Sequence, residues 1–189
     1  HYNNFSNIGI VNSPSSGVLL DDGASYNLIE SFSVNNSRYS IEMDYALFNS
    51  IRDGMINSAG SCAICFSKSL GGFPEGNIID SVSMSQTSIG GYDIAFWDES
   101  INGTTIINTN FSNYYFDGAG GKINLKEEGK GQIEFLQPIT GLGSNLTKGV
   151  KIEQDRITIN ASENPVLNKS AKLYFFGTYV NPRVLRDGD

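Results

Sequence analysis

Between Arg38 and Leu47 the chain alternates strictly. Tyr39, Ile41, Met43, Tyr45 and Leu47 fall on one side of an extended segment, and Ser40, Glu42 and Asp44 on the other. Side chains of a strand point to opposite faces in turn, so this stretch predicts a strand with one dry and one wet side. The pattern recurs over Tyr26–Val34, Tyr92–Trp97, Thr104–Asn108, Lys122–Lys126, Gln132–Leu136 and Ala171–Val180. Val18–Leu20, Met55–Ile56, Ala63–Phe66 and Ile79–Ile89 are shorter or weaker strand candidates. Turn residues separate these runs: Asp21-Asp22-Gly23, Asn35-Asn36-Ser37 and the Gly71–Gly76 loop. Asn102-Gly103 predicts a hairpin between the Tyr92 and Thr104 runs, and Glu127–Gly131 a second one, with Ile123 and Leu125 facing Ile133 and Phe135. No helix of three turns is expected, and no internal repeat stands out.

Strands with turns at this spacing lead to an all-β expectation: an antiparallel β-sandwich, jelly-roll-like. The expected division is an N-terminal arm and first strand over 1–25, a single sandwich domain over 26–180 with a sub-boundary near 138–149, and a polar tail over 181–189. The 189 residues suffice to bury a core. No stretch approaches the roughly 20 apolar residues of a membrane helix. A chain starting at His1 without Met reads as processed, or as carrying a tag remnant.

Charge is unevenly placed. The net value is −7, yet residues 1–121 hold three basic side chains (Arg38, Arg52, Lys68) against twelve acidic ones. Phosphate recognition draws on clustered Lys and Arg, so nucleic acid is not an expected partner. The asymmetry suits packing of copies against one another.

Chemistry-bearing residues are sparse. The one histidine is His1. A copper site built on the terminal amine needs a second histidine, so neither that nor any other cofactor or metal is expected. Cys62-Ala-Ile-Cys65 lacks the second pair of a zinc site and the helix of a redox motif, which favours core thiols, with a local disulfide as the rival. Asp98-Glu-Ser-Ile-Asn102-Gly103 opens like a calcium loop but has Thr109 where the closing Glu belongs. The Asp93/Asp98 carboxylates give no reason to be preferred as a glycosidase pair. Seven Asn-x-Ser/Thr sites are what a chain rich in Asn and Ser contains. No catalytic residue is expected.

Two surfaces remain as candidates. Aromatic residues cluster from Tyr92 to Phe116, and Phe96 and Trp97, being adjacent, cannot both face the core. Trp97 with Asn110, Asn113, Tyr114 and Tyr115 would make a sugar-stacking or receptor surface. In the terminal arm Phe5, Ile8, Ile10 and Val11 could pair with a neighbour's sheet edge, or fold back onto the chain's own sheet.

The segments Arg38-Tyr-Ser-Ile-Glu-Met-Asp-Tyr45, Arg52-Asp-Gly-Met-Ile56, Gly91-Tyr-Asp-Ile-Ala-Phe96 and Asn102-Gly-Thr-Thr-Ile-Ile107 together resemble a β-domain of bacteriophage virion-surface and tail-fibre proteins, over about 35–126. The resemblance implies a non-enzymatic structural or attachment subunit of a virion: tail fibre, capsid fibre or decoration protein. A bacterial pilus subunit or fimbrial adhesin binding a surface glycan is the alternative. Expected partners are copies of the chain, other assembly subunits and a host glycan, at a virion surface or otherwise outside the cell, with no nucleic acid and no membrane.

Overall fold

Neighbouring strands in this chain do not, for the most part, pair with each other. In the computed structural model, which describes residues 2–68, 71–85, 91–97, 101–144 and 146–177, each strand of the first 127 residues lies beside the strand one full turn away. The chain coils. Its first turn carries β1 (Asn4–Ser6), β2 (Gly9–Val11) and β3 (Ser16–Leu20); its second carries β4 (Leu28–Glu30), β5 (Ser33–Asn35) and β6 (Tyr39–Asp44). The third carries β7 (Ser50–Asn57) and β8 (Cys62–Ser67), and the fourth β9 (Ile78–Ser85) and β10 (Tyr92–Phe96). Then β11 (Ile101–Ile107) and the long β12 (Asn113–Glu127) close the coil.

All these strands pair in parallel, on three faces. The first face stacks β1, β4, the first half of β7, then β9, β11 and the end of β12. The second stacks β2, β5 and the second halves of β7 and β9. The third stacks β3, β6, β8, β10 and the start of β12. This is a β-solenoid, and it overturns the antiparallel sandwich. Alternation reports which way side chains point, not which strand lies alongside. Inward positions face the axis of the coil. Ile29, Ile51, Ile79 and Ile106 form one buried column, Ile41, Ile64 and Ile94 another, and Met43, Phe66, Phe96 and Phe116 a third.

A repeat missed by inspection runs through the coil. Asn3, Asn27, Asn49 and Asn77 open successive turns. Each of the first three donates its Nδ2 to the Oδ1 of the next, at 2.9, 2.9 and 3.2 Å. Asn27, Asn49 and Asn77 are buried, and Asn49 and Asn77 also donate to the carbonyls of Ala24 and Ala46. A buried amide must find partners or cost about 1–3 kcal/mol, and the stack supplies them. The corner between the first two faces repeats as well. Asn7, Ser31, Asp53, Ser81 and Asn108 all have φ between 46° and 55°, a left-handed conformation that Asn and Asp adopt at lower cost than other side-chain-bearing residues and that Ser31 and Ser81 share at the same corner.

Asn102-Gly103 is therefore a solenoid corner (Gly103 φ 69°), since β10 lies on the third face and β11 on the first. The terminal arm is the first turn: Ile8 and Ile10 pack on the core, and Phe5 and Val11 remain exposed. Cys62 and Cys65 form a disulfide.

The second hairpin is as expected. β12 turns at Gly129 (φ 73°) into antiparallel β13 (Gly131–Phe135), with Leu125 opposite Ile133. β14 (Ile139–Ser144) pairs antiparallel with β12 on the third face, so the sheet runs on through the residues expected to hold a sub-boundary. A short helix, Leu146–Gly149, leads to the hairpin of β15 (Val150–Ile152) and β16 (Ile157–Ile159); a 3-10 turn, Pro165–Leu167, precedes β17 (Ala171–Phe175), which pairs with β13. Leu146, Val150, Ile152 and Leu167 are buried in the same core as the solenoid columns and so close its end. The tail expected over 181–189 lies outside the described residues.

Candidate functional site

The outer side of the third face has its own small apolar cluster. Within β8, the successive residues Ala63 and Ile64 both belong to the main core. That break in alternation leaves Cys62 and Cys65 on the outside, where they and Ala95 form a separate buried group covered by Tyr39, Tyr92, Trp97 and Tyr115. Register explains the grouping. Tyr39, Cys62 and Tyr92 are neighbours across three strands; Glu42, Cys65, Ala95 and Tyr115 are neighbours across four.

The four rings are half-buried and contact one another in pairs. Tyr39 meets Trp97 edge-on with centroids 5.2 Å apart, and Tyr92 stacks on Tyr115, also at 5.2 Å, with planes 26° apart. Burial raises the pKa of the Tyr115 phenol, helped by its hydrogen bond to the Asp117 carboxylate, so near neutrality it stays protonated and donates. The Arg38 guanidinium lies 4.9 Å from the centre of the Tyr39 ring. Aromatic faces edged by polar groups are what a sugar ring needs: its C–H face stacks, and its hydroxyls meet donors and acceptors at the rim.

Two of the five residues expected at this surface, Trp97 and Tyr115, are on it. Asn113 begins β12, and its backbone N–H, like that of Ser112, donates to Asp93, which thereby pins the entry of that strand. Asn110 is exposed in the loop after β11, beside a small cleft that Val150 and Ile152 also line. Tyr114 points the other way. It is buried, with its hydroxyl donating to Asn164 Oδ1 at 2.9 Å, because the residue after it faces outward. Tyr92 was expected in the aromatic cluster but not on this surface, and Tyr39 and Arg38 were not expected here, since their proximity to Trp97 depends on coil register; superposing the third-face strands turn upon turn is the signal that finds them.

Other features are less complete. A shallow cavity of about 360 Å³ lies beside Tyr45, whose ring packs on Gly71 and Gly72 so closely that a side chain at either would collide with it. Asp98, weighed beside Asp93 as a carboxylate pair and not preferred, lies outside the described residues. Among the described residues no group of three His, Cys, Asp or Glu side chains has metal-ligating spacing.

Fold and surface together define a parallel β-solenoid that displays an aromatic platform on one face and closes one end with an antiparallel cap. Comparison with protein-family models, curated proteins and solved structures finds no match.

Proposed function

We propose that the chain is a non-enzymatic attachment or structural module working outside the cell, of the kind that virions of bacteriophages carry, and that the third-face platform holds a host-surface glycan. The observation that carries this reading is the set of four half-buried rings over the Cys62–Cys65 disulfide. Side chains this apolar on an outward strand face are costly unless something covers them. Support comes also from the disulfide, which persists in oxidising surroundings, and from the solenoid, a stack whose rungs each brace the next. The outer edges of β1, β2 and β3 have no strand partner among the described residues. Such edges can be continued by a further turn of the coil or by a neighbouring copy.

Affinity electrophoresis through gels containing surface polysaccharides tests the platform. Wild-type protein is retarded in at least one gel, with no reducing ends released. Trp97→Ala and Tyr92→Ala migrate freely there while unfolding at nearly the wild-type temperature. Retardation that survives both substitutions overturns the platform, and steady release of reducing ends overturns the non-enzymatic reading.

A further inference from the structure

The three basic residues of the first 121 differ in what they do. Arg52 is spent on Glu30, which accepts from both Nε and Nη2 at 3.0 and 2.6 Å. Lys68 sits 5.9 Å from the Phe73 ring centre, beside the shallow cavity. Arg38 is exposed, with its guanidinium carbon over the Tyr39 ring at 4.9 Å from the centre, and it makes no ion pair among the described residues. Arg38, Tyr39 and Trp97 thus form a continuous contact chain at one edge of the platform.

We propose that the ligand of this platform is an acidic sugar, a pyranose carrying a ring carboxylate, and that Arg38 binds that carboxylate. The proposal rests on the platform reading above and adds the charge of the ligand. A guanidinium lying on an aromatic ring has its face occupied and its N–H edge free, and that edge matches a carboxylate with two parallel hydrogen bonds. In a uronic acid the carboxylate projects from the rim of the same ring whose C–H face can stack. The Tyr39 and Trp97 planes stand 73° apart, so one sugar stacks on a single ring, that of Trp97, with Tyr39 at its side, and presents its carboxylate to Arg38.

Acidic side chains towards the other end of β6 fix the direction. Glu42 lies in the row of Cys65, Ala95 and Tyr115 and accepts from Ser16, and Asp44 ends the strand, with Asp21, Asp22 and Glu42 close enough to act on its charge. A carboxylate placed there meets repulsion. The acidic group of the ligand is therefore held at the Arg38 edge. Negative charge elsewhere on the solenoid acts weakly here, because exposed charges are screened beyond about 8 Å at physiological salt. The nearby carboxylates, Asp117 on Tyr115 and Glu42 in the Tyr115 row, lie away from Arg38 along the strands.

The test compares a β-1,4-linked glucuronan tetrasaccharide with its methyl ester, which keeps the rings and removes the charge, by titration calorimetry on the full chain. Wild-type protein binds the acid at least about tenfold tighter than the ester, as expected of a charge-assisted pair of hydrogen bonds, and the preference shrinks as salt rises. Arg38→Gln, folded as judged by an unchanged melting temperature, erases the preference by weakening the acid far more than the ester; Arg38→Lys restores only part of it. Equal affinity for both sugars in wild type overturns the acidic ligand and leaves the platform standing. An acid preference that persists in Arg38→Gln overturns the role of Arg38. No binding of either sugar, with the wild-type protein folded, overturns the acidic ligand, and the platform then stands or falls by the gel experiment.

Discussion

Up to Glu127 every strand finds its partner a full turn away; after it, partners are joined by short connections or reverse direction against the coil. The two regions share one grammar, apolar and polar positions in alternation, and differ in what occupies their corners. In the solenoid four successive turns bring an asparagine to the same ladder, buried from Asn27 onward, and five bring a left-handed residue to the same corner. In the cap a single turn at Gly129 reverses the chain, and no comparable column forms among the described residues. Alternation makes the strand; the corner decides its neighbour.

The largest effect expected from this contrast is at the ladder. Asn49→Ala strips the Oδ1 that accepts from the N–H and Nδ2 of Asn27, and the Nδ2 that donates to Ala24. With several buried groups orphaned at about 1–3 kcal/mol each, a loss of about 3–5 kcal/mol is expected. Tyr114→Phe, also buried but under the cap, removes one hydrogen bond and costs about 1 kcal/mol. Denaturant unfolding of the two variants measures both. Equal losses would mean that the ladder has no special place in the fold.

Next come the glycines. A Cβ on Gly54 would stand 2.1 Å from the Phe32 ring, which fills the space that a side chain on the next turn leaves empty. Gly54→Ala is expected to cost about 1–3 kcal/mol, and shortening the ring with Phe32→Leu in the same chain should recover part of it. Gly129 in the cap has open space around it, so Gly129→Ala meets only the backbone penalty of its positive φ, about 1 kcal/mol. Melting temperatures of the single and double variants decide whether packing between turns sets the difference.

The smallest effect is in pH dependence, where the two regions move in opposite directions. Burial, and then the charges of Asp21, Glu42 and Asp22, raise the Asp44 pKa in the folded state. Its charged form therefore costs stability above that pKa, and the cost fades as pH falls towards the ordinary aspartate value. Asp44→Asn should raise the melting temperature near pH 7 and leave it unchanged at low pH. Glu153 in the β15–β16 hairpin is held low by hydrogen bonds from Lys151 and Arg156. Its contribution is present above the unfolded value and lost as pH falls through the lowered one. Glu153→Gln should thus lose stability near neutrality and match wild type in acid. Parallel pH profiles for both variants would count against this assignment of causes.

Much of the strand content is legible from alternation, including the Tyr39–Asp44 strand and the hairpin that sets Leu125 against Ile133. The sandwich was a misreading of corners as hairpins. Asn-Gly at 102–103 satisfies a tight turn and a solenoid corner equally, because both need positive φ. The repeat escaped because its period drifts: ladder partners stand 24, 22 and 28 residues apart. Trp97 and Tyr115 were found by their chemistry, and Tyr39 and Tyr92 were not, since what places them beside Trp97 is pairing across turns of unequal length. The disulfide is legible only as the rival to core thiols, because strict alternation puts Cys62 and Cys65 on opposite faces, and the irregular step at Ala63 is needed to bring them together.

The drift in ladder spacing has a consequence for how such a chain can change. From Asn49 to Asn77 there are six more residues than from Asn27 to Asn49, yet both amide contacts form. One of the six comes before the outward cysteines, since Tyr39 and Cys62 are in register but stand twelve and thirteen residues past their ladder asparagines; the other five are taken up between Phe66 and Asn77, where Gly71–Gly76 lie. Length added there is invisible to the amides on either side. A graft at this point, whether an affinity peptide or a whole inserted domain, would ride outside the coil as cargo, anchored at both ends by a scaffold that need not be redesigned to carry it.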